Sequence, residues 1–233
     1  MTDFNRTPEA QAQFKEKRKP KGEIKFKISL NEEQKEAKQL ILSKPITFLD
    51  GKAGSGKTSL AVQIALDLLF KKEISQIIVA RPFVTAGEDL GYLPGGVDQK
   101  LEYLIYPIHD LMKSNYGDVD KIEKLIKDEI IKIFPVGFLR GNTFNDSIII
   151  IDEAQNCTRL QTELILGRLG ETSKLIFCGD KTQCDLPKKL DSGINLLSDL
   201  SKNLQHFGYF KLSKNHRHPI VEDILSYIKE NNL

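Results

Sequence analysis

Apolar residues along the chain gather in two alternating kinds of run. PITFLD (45–50), SQIIVA (75–80), IIKIFPV (130–136), SIIIID (147–152) and KLIFCGD (174–180) are short, continuous and β-rich, and they read as strands. The stretches between them carry apolar positions at helical spacing: TSLAVQIALDLLFKK (58–72), VDQKLEYLIYPIHDLMKSN (97–115) and TRLQTELILGRLG (158–170). Ahead of the first strand, NEEQKEAKQLIL (31–42) gives Ala37, Leu40 and Ile41 helical spacing, with Asn31 available as N-cap. A further strand, GYFKL (208–212), precedes a last helix from about Pro219 to Lys229. KSNYGDVDKIEKLIKDE (113–129) also has helical pattern, but its attachment to the sheet is not readable from sequence.

Alternating strand and helix predicts an α/β fold with a mostly parallel sheet and helices on both faces. No repeat or long linker interrupts the series, so residues 30–233 read as one domain behind a lead of residues 1–29.

GKAGSGKT, Gly51 to Thr58, fits G-x-x-x-x-G-K-[ST] between a strand and a helix, the context in which that spacing binds nucleotide. Gly51, Ala53, Gly54, Ser55 and Gly56 supply inward-turned amides, and Ser59 continues onto the helix. Lys57 brings a point charge to the terminal phosphates, and the Thr58 hydroxyl is a Mg²⁺ ligand. The cofactors expected are therefore ATP and Mg²⁺.

IIIIDEAQN sets two carboxylates after four consecutive isoleucines, so a buried strand delivers Asp152 and Glu153 to the sheet edge. Asp152 is expected to hold Mg²⁺ and Glu153 to polarise the water that attacks the γ-phosphate. Acidic pairs at strand ends also cap helices, but the apolar run before this one favours catalysis. GDKTQCDLP brings Asp180 and Gln183 to the same edge, where Gln183 is a candidate γ-phosphate sensor or, alternatively, a plain loop amide.

In order, LNEEQ, GKAGSGKT, DEAQ, GDKTQ and LSKNHRHPIVEDI resemble the first RecA-like half of a superfamily-1 helicase. With RPFVTAGEDLGYLPG (81–95), LRGNTFNDSIIIIDEAQN, GDKTQCDLP and RHPIV, the chain resembles the PhoH family of ATPases over Leu30 to Ile228. The resemblance implies a single RecA-like P-loop NTPase domain in which Gln34 contacts adenine and Arg217 reaches the γ-phosphate; a surface salt bridge is the other reading of Arg217. It implies ATPase activity, a homo-oligomeric ring, suspected to be a hexamer, and single-stranded RNA or DNA as partner. Some relatives fuse this core to a nuclease that acts on RNA, and the short flanks predict no such domain here. Thr85, Asn215 and His216 depart from the family's usual residues without removing a catalytic group.

Half a cleft per chain leaves a neighbouring subunit to close the site. Arg81, Arg140 and Arg168 are candidates to act in trans, and each is equally readable as a surface or core-rim arginine. Arg81 to Gly95 is expected to leave the strand next to the phosphate loop, with Arg81 available to a phosphate and Gly87 allowing close backbone approach. A structural Pro/Gly turn explains its distal part, Leu90 to Gly95, equally well.

Composition adds bounds. The 233 residues are 40% hydrophobic with a net charge of +2, which hides a crowd of lysine and arginine between Lys15 and Lys27. That crowd suits a phosphate backbone and equally a solvated tail. No run reaches the roughly 18 apolar residues of a membrane span, and the N-terminus lacks the apolar core of a signal peptide, so a cytoplasmic protein is expected. Cys157, Cys178 and Cys184 suit a reducing compartment, and without a CxxC pair they do not suggest zinc. Two functions stay open: an ATPase working on nucleic acid, and an ATP-dependent switch whose client is a protein.

Overall fold

The computed structural model describes residues 24, 26, 27, 29–82, 106–114, 118–216, 220, 221, 223, 224, 227 and 231. The strands are β1 (Ile46–Gly51), β2 (Gln76–Arg81), β3 (Ile131–Pro135), β4 (Ser147–Ile151), β5 (Lys174–Gly179) and β6 (Phe207–Leu212). They form one sheet in the order β3-β2-β4-β5-β1-β6, with every neighbouring pair parallel. All strands therefore end on one edge, where an open α/β sheet collects its ligands.

The helices are α1 (Glu32–Ser43), α2 (Lys57–Phe70), α3 (Val119–Lys127), α4 (Arg159–Leu166) and α5 (Ile194–Asn203), with a further helical stretch at 106–114. One core cluster joins α1, α2, α3 and Ile108 and Met112 to one face of the sheet; the other joins α4, α5 and the 3-10 turn Val136–Leu139 to the opposite face. In β4, Ile148 and Ile150 face the first cluster while Ile149 and Ile151 face the second, all with no exposure. The four isoleucines are continuous because both faces are covered.

Asn31 caps α1 as expected: its Oδ1 accepts the Gln34 N–H, and Gln34 Oε1 accepts the Asn31 N–H, closing a capping box. α2 is apolar nearly all round because it packs across β1, β5, β4 and β2. α3 attaches through Ile122 and Leu125 in the first cluster and through contact with β3. α5 was not among the expected elements. Its apolar face is short, with only Ile194 and Leu197 buried, and it follows a long irregular stretch. Positions 220, 221, 223, 224 and 227 are helical, within the last helix expected.

One expectation is corrected. β2, which carries Arg81, does not neighbour β1 and its phosphate loop, because β4 and β5 lie between them. The crossover through α2 carries the chain over both strands before β2 begins. Among the described residues no helix is long and apolar enough to cross a membrane.

Burial separates two substitutions of similar chemistry. Ile150→Ala, with no exposure, is expected to cost about 3 kcal/mol, while Leu190→Ala, at a residue 92% exposed, should cost less than about 0.5 kcal/mol. Urea denaturation of the two variants measures both.

Candidate functional site

The end of β1 turns directly into the phosphate loop. A Cβ on Gly51 would lie 2.7 Å from both Leu212 O and Ser55 Oγ, so only glycine lets the strand end pass this close to β6. Gly54 and Gly56 have φ of 87° and 80°, in the left-handed region that favours glycine, and Gly56 is the N-cap of α2. Ser55 Oγ is buried without a hydrogen-bond partner, an orphan that an incoming phosphate oxygen would satisfy. Lys57 Nζ donates to Gly51 O at 2.6 Å and Lys52 O at 3.1 Å. Ala53 and Ser59 are half-buried on the loop and the first turn of α2.

β4 delivers Asp152, whose N–H donates to Ala80 O at 2.9 Å. Asp152 Oδ1 accepts the Thr58 hydroxyl at 2.6 Å, joining the first turn of α2 to the end of β4 across the intervening strand. Burial, and then the Glu153 carboxylate beside it, hold the Asp152 carboxyl above its ordinary range; the Thr58 hydroxyl and the Arg81 guanidinium oppose the shift.

Glu153 has φ 51°, a left-handed conformation unusual outside glycine, at the start of the 3-10 turn Ala154–Asn156. Its Oε2 accepts Gln155 Nε2 at 2.6 Å, and its Oε1 lies 3.5 Å from Arg81 Nη2. Arg81 Nε is 3.8 Å from Asp152 Oδ2. The first of the three trans candidates thus lies on its own chain's carboxylates. Arg168 is also held internally, donating to Leu164 O and Asn142 O at 3.1 Å each, whereas Arg140 is exposed.

Sequence reading passed over Gln155. It is buried, and it bridges the two carboxylate motifs: Nε2 donates to Glu153 while Oε1 accepts the Asp180 N–H at 3.1 Å. Asn156 and Asp185 exchange two further hydrogen bonds, at 2.8 and 2.9 Å. Residues 153–156 and 180–185 are therefore knit into one unit. The available signal was that a buried strand running straight into DEAQN leaves its amides few solvent partners. Asp180 Oδ1 accepts from Thr182, and Gln183 is exposed on the same loop with its N–H on Asp180 O.

Gln34 is buried over the loop, its Nε2 3.1 Å from where a Cβ on Gly56 would stand. The segment after β6 closes the other side. Glu33 accepts from the Ser213 N–H and hydroxyl at 2.7 and 2.6 Å and from the Lys214 N–H at 3.3 Å, and His216 N–H donates to Gly54 O at 3.0 Å. Arg217 and Gly87, with residues 83–95 of RPFVTAGEDLGYLPG, lie outside the described residues.

The sequence matches the PhoH-like protein family over residues 27–229. The chain belongs to that family. It is similar to a PhoH-like protein of Bacillus subtilis, at 40% identity over 80% of this chain and 59% of the relative. It is also similar to Protein PhoH of Escherichia coli K12, at 38% identity over 72% of this chain and 48% of the relative. This PhoH-like chain thus spans between about half and three fifths of the curated relatives it matches. Among solved structures it is similar to the Pif1 helicase from Candida albicans, with TM-score 0.45 and 20% identity over 86% of this chain and 44% of that one.

The raised Asp152 carboxyl makes a stability prediction for the PhoH-like core. A carboxyl whose folded pKa lies above its unfolded value contributes stability that is full below the unfolded value and lost as pH rises through the folded one. Asp152→Asn removes that loss, so at neutral pH it should raise the stability of the metal-free protein, with the gain shrinking as pH falls into the carboxylate range. Thermal melts across pH check the sign.

Proposed function

We propose that this chain is a Mg²⁺-dependent ATPase that couples hydrolysis to movement on, or remodelling of, single-stranded nucleic acid, RNA favoured, as a homo-oligomer. The observation that carries the ATPase reading is the 2.6 Å bond between Thr58 Oγ1 and Asp152 Oδ1. It brings together the hydroxyl and the carboxylate that a phosphate-loop enzyme turns toward its metal, with a second carboxylate next in sequence. Thr58 and Asp152 would hold Mg²⁺, which when bound draws charge from the terminal phosphates. Lys57 would leave its carbonyl partners for phosphate oxygens. Glu153 would take a proton from the attacking water as the bond to the leaving diphosphate breaks.

Gln34, buried beside Gly56 of the phosphate loop, is the proposed adenine contact, and Gln183 and Arg217 remain the proposed γ-phosphate sensors. Of the three arginines, Arg140 is the exposed one, and it is the proposed trans residue. The basic residues between Lys15 and Lys27, and the resemblance of RPFVTAGEDLGYLPG to a helicase segment that touches nucleic acid, support the nucleic-acid partner.

Lys57→Ala is expected to lower ATP turnover by about 100-fold or more, and Glu153→Gln to do the same while sparing ATP binding. Phosphate release and equilibrium binding of a fluorescent ATP separate the two; wild-type turnover by Glu153→Gln would remove it as general base.

The nucleic-acid reading expects single-stranded RNA to stimulate ATPase activity and to bind with a salt-dependent affinity. Neither stimulation nor salt-dependent binding by RNA or DNA would defeat it. Light scattering on an eluting column should report an oligomer.

A further inference from the structure

The guanidinium of Arg81 stands where a strand-end arginine has little reason to be unless the carboxylates need it. β2 pairs with β4 so that Ala80 lies opposite Ile151, which puts Arg81 level with Asp152. The side chain is 27% exposed and lies over the pair rather than away from it. Each carboxylate has one oxygen committed to an uncharged donor: Asp152 Oδ1 to Thr58, and Glu153 Oε2 to Gln155. The remaining oxygens, Asp152 Oδ2 and Glu153 Oε1, are the two that face Arg81.

Among the described residues Arg81 is the cation within ion-pair distance of either carboxylate. Lys57, the other cation of the site, has its ammonium on the carbonyls of Gly51 and Lys52. The Arg81 contacts of 3.5 and 3.8 Å are longer than the 2.7–2.9 Å typical of a charge-assisted N–H···O bond. This is a counter-charge held at loose range, without the bidentate fork that would lock it.

We infer that Arg81 is the resident counter-cation of the Asp152–Glu153 pair, and that a divalent ion reaching Asp152 must displace it. Arg81 then acts in its own chain's site as a positioning residue. It holds two adjacent carboxylates together against their repulsion, and it sets a threshold that the arriving ion has to exceed. The inference rests on the reading of Asp152 as the ligand of the cation.

The test is a titration of the full chain with Mn²⁺ alone, read by electron paramagnetic resonance without nucleotide, on wild type, Arg81→Gln, Arg81→Lys and Asp152→Asn. Removing the competing charge in Arg81→Gln should tighten Mn²⁺ binding by about tenfold, with Arg81→Lys between it and wild type. Asp152→Asn should weaken binding by a similar factor. Arg81→Gln should also melt below wild type in metal-free buffer and regain more of its melting temperature when Mn²⁺ is added. Arg81→Gln binding Mn²⁺ no better than wild type, beside a weakened Asp152→Asn, overturns the inference and leaves the metal site standing. An Asp152→Asn titration identical to wild type takes away the metal reading and the inference with it.

Discussion

The site is organised around one cost, that of ending a fully desolvated strand in charge. β4 is buried on both faces along its whole length, and its chain continues directly into Asp152 and Glu153. An ion drawn out of water without compensation is among the most expensive things a fold can contain. Around these two carboxylates lie a hydroxyl from α2, a guanidinium from β2 and an amide from the following turn, and each supplies a donor or opposite charge at that point. Because the donors come from separate elements, the strand end also fixes those elements relative to one another. Chemistry and architecture meet in the same set of bonds.

Two further linkages carry that order outward. Gln155 makes the Glu153 carboxylate and the Asp180 backbone share one buried amide, and Gly179 packs closely beneath it, since a Cβ there would stand 3.2 Å from Gln155 Oε1. On the other flank, burial alone would raise Glu33. The Ser213 and Lys214 donors outweigh it and hold the carboxyl below its ordinary range, so the segment leading toward Arg217 is fastened beside the phosphate loop by an ionised group. The phosphate loop is thus bracketed by α1 and by the chain that leaves β6.

What could be read in the sequence follows from which of these interactions are local. Apolar runs located the strands, most clearly the inner β1, β2, β4 and β5, whose burial on both faces leaves a continuous signature, and the Asn31 cap was legible because its partner is three residues away. The phosphate loop and the DEAQ segment were legible for the same reason: spacing alone encodes them. The aim of Arg81 was not, because it depends on β2 lying beside β4, a pairing between residues about seventy apart. Gln155 was not singled out, because its role depends on Asp180, 25 residues on, being brought within reach of it. α5 was overlooked because two buried residues make a weak period. The glycine-rich continuation after Arg81 falls outside the described residues, so its proposed role rests on sequence resemblance.

Under the proposed function, these internal bonds also decide how a cation and a nucleotide would enter. Among the described residues no group of three or more histidine, cysteine or acidic side chains converges as a metal cage, while a hard divalent ion seeks six or more oxygen ligands. Thr58 and Asp152 can supply only part of that shell, so phosphate oxygens and water must complete it. Lys57 and Arg81 meanwhile begin with acceptors of their own, so at these two cations a bound nucleotide and its ion replace existing partners, while the Ser55 hydroxyl is an unpaired group they would satisfy. The net affinity is then a difference between two satisfied states. Phosphates alone leave the carboxylates to Arg81, and an ion alone leaves Lys57 on its carbonyls. These two exchanges are separate and additive; what would couple nucleotide and ion within this one chain is the set of phosphate oxygens that completes the ion's shell.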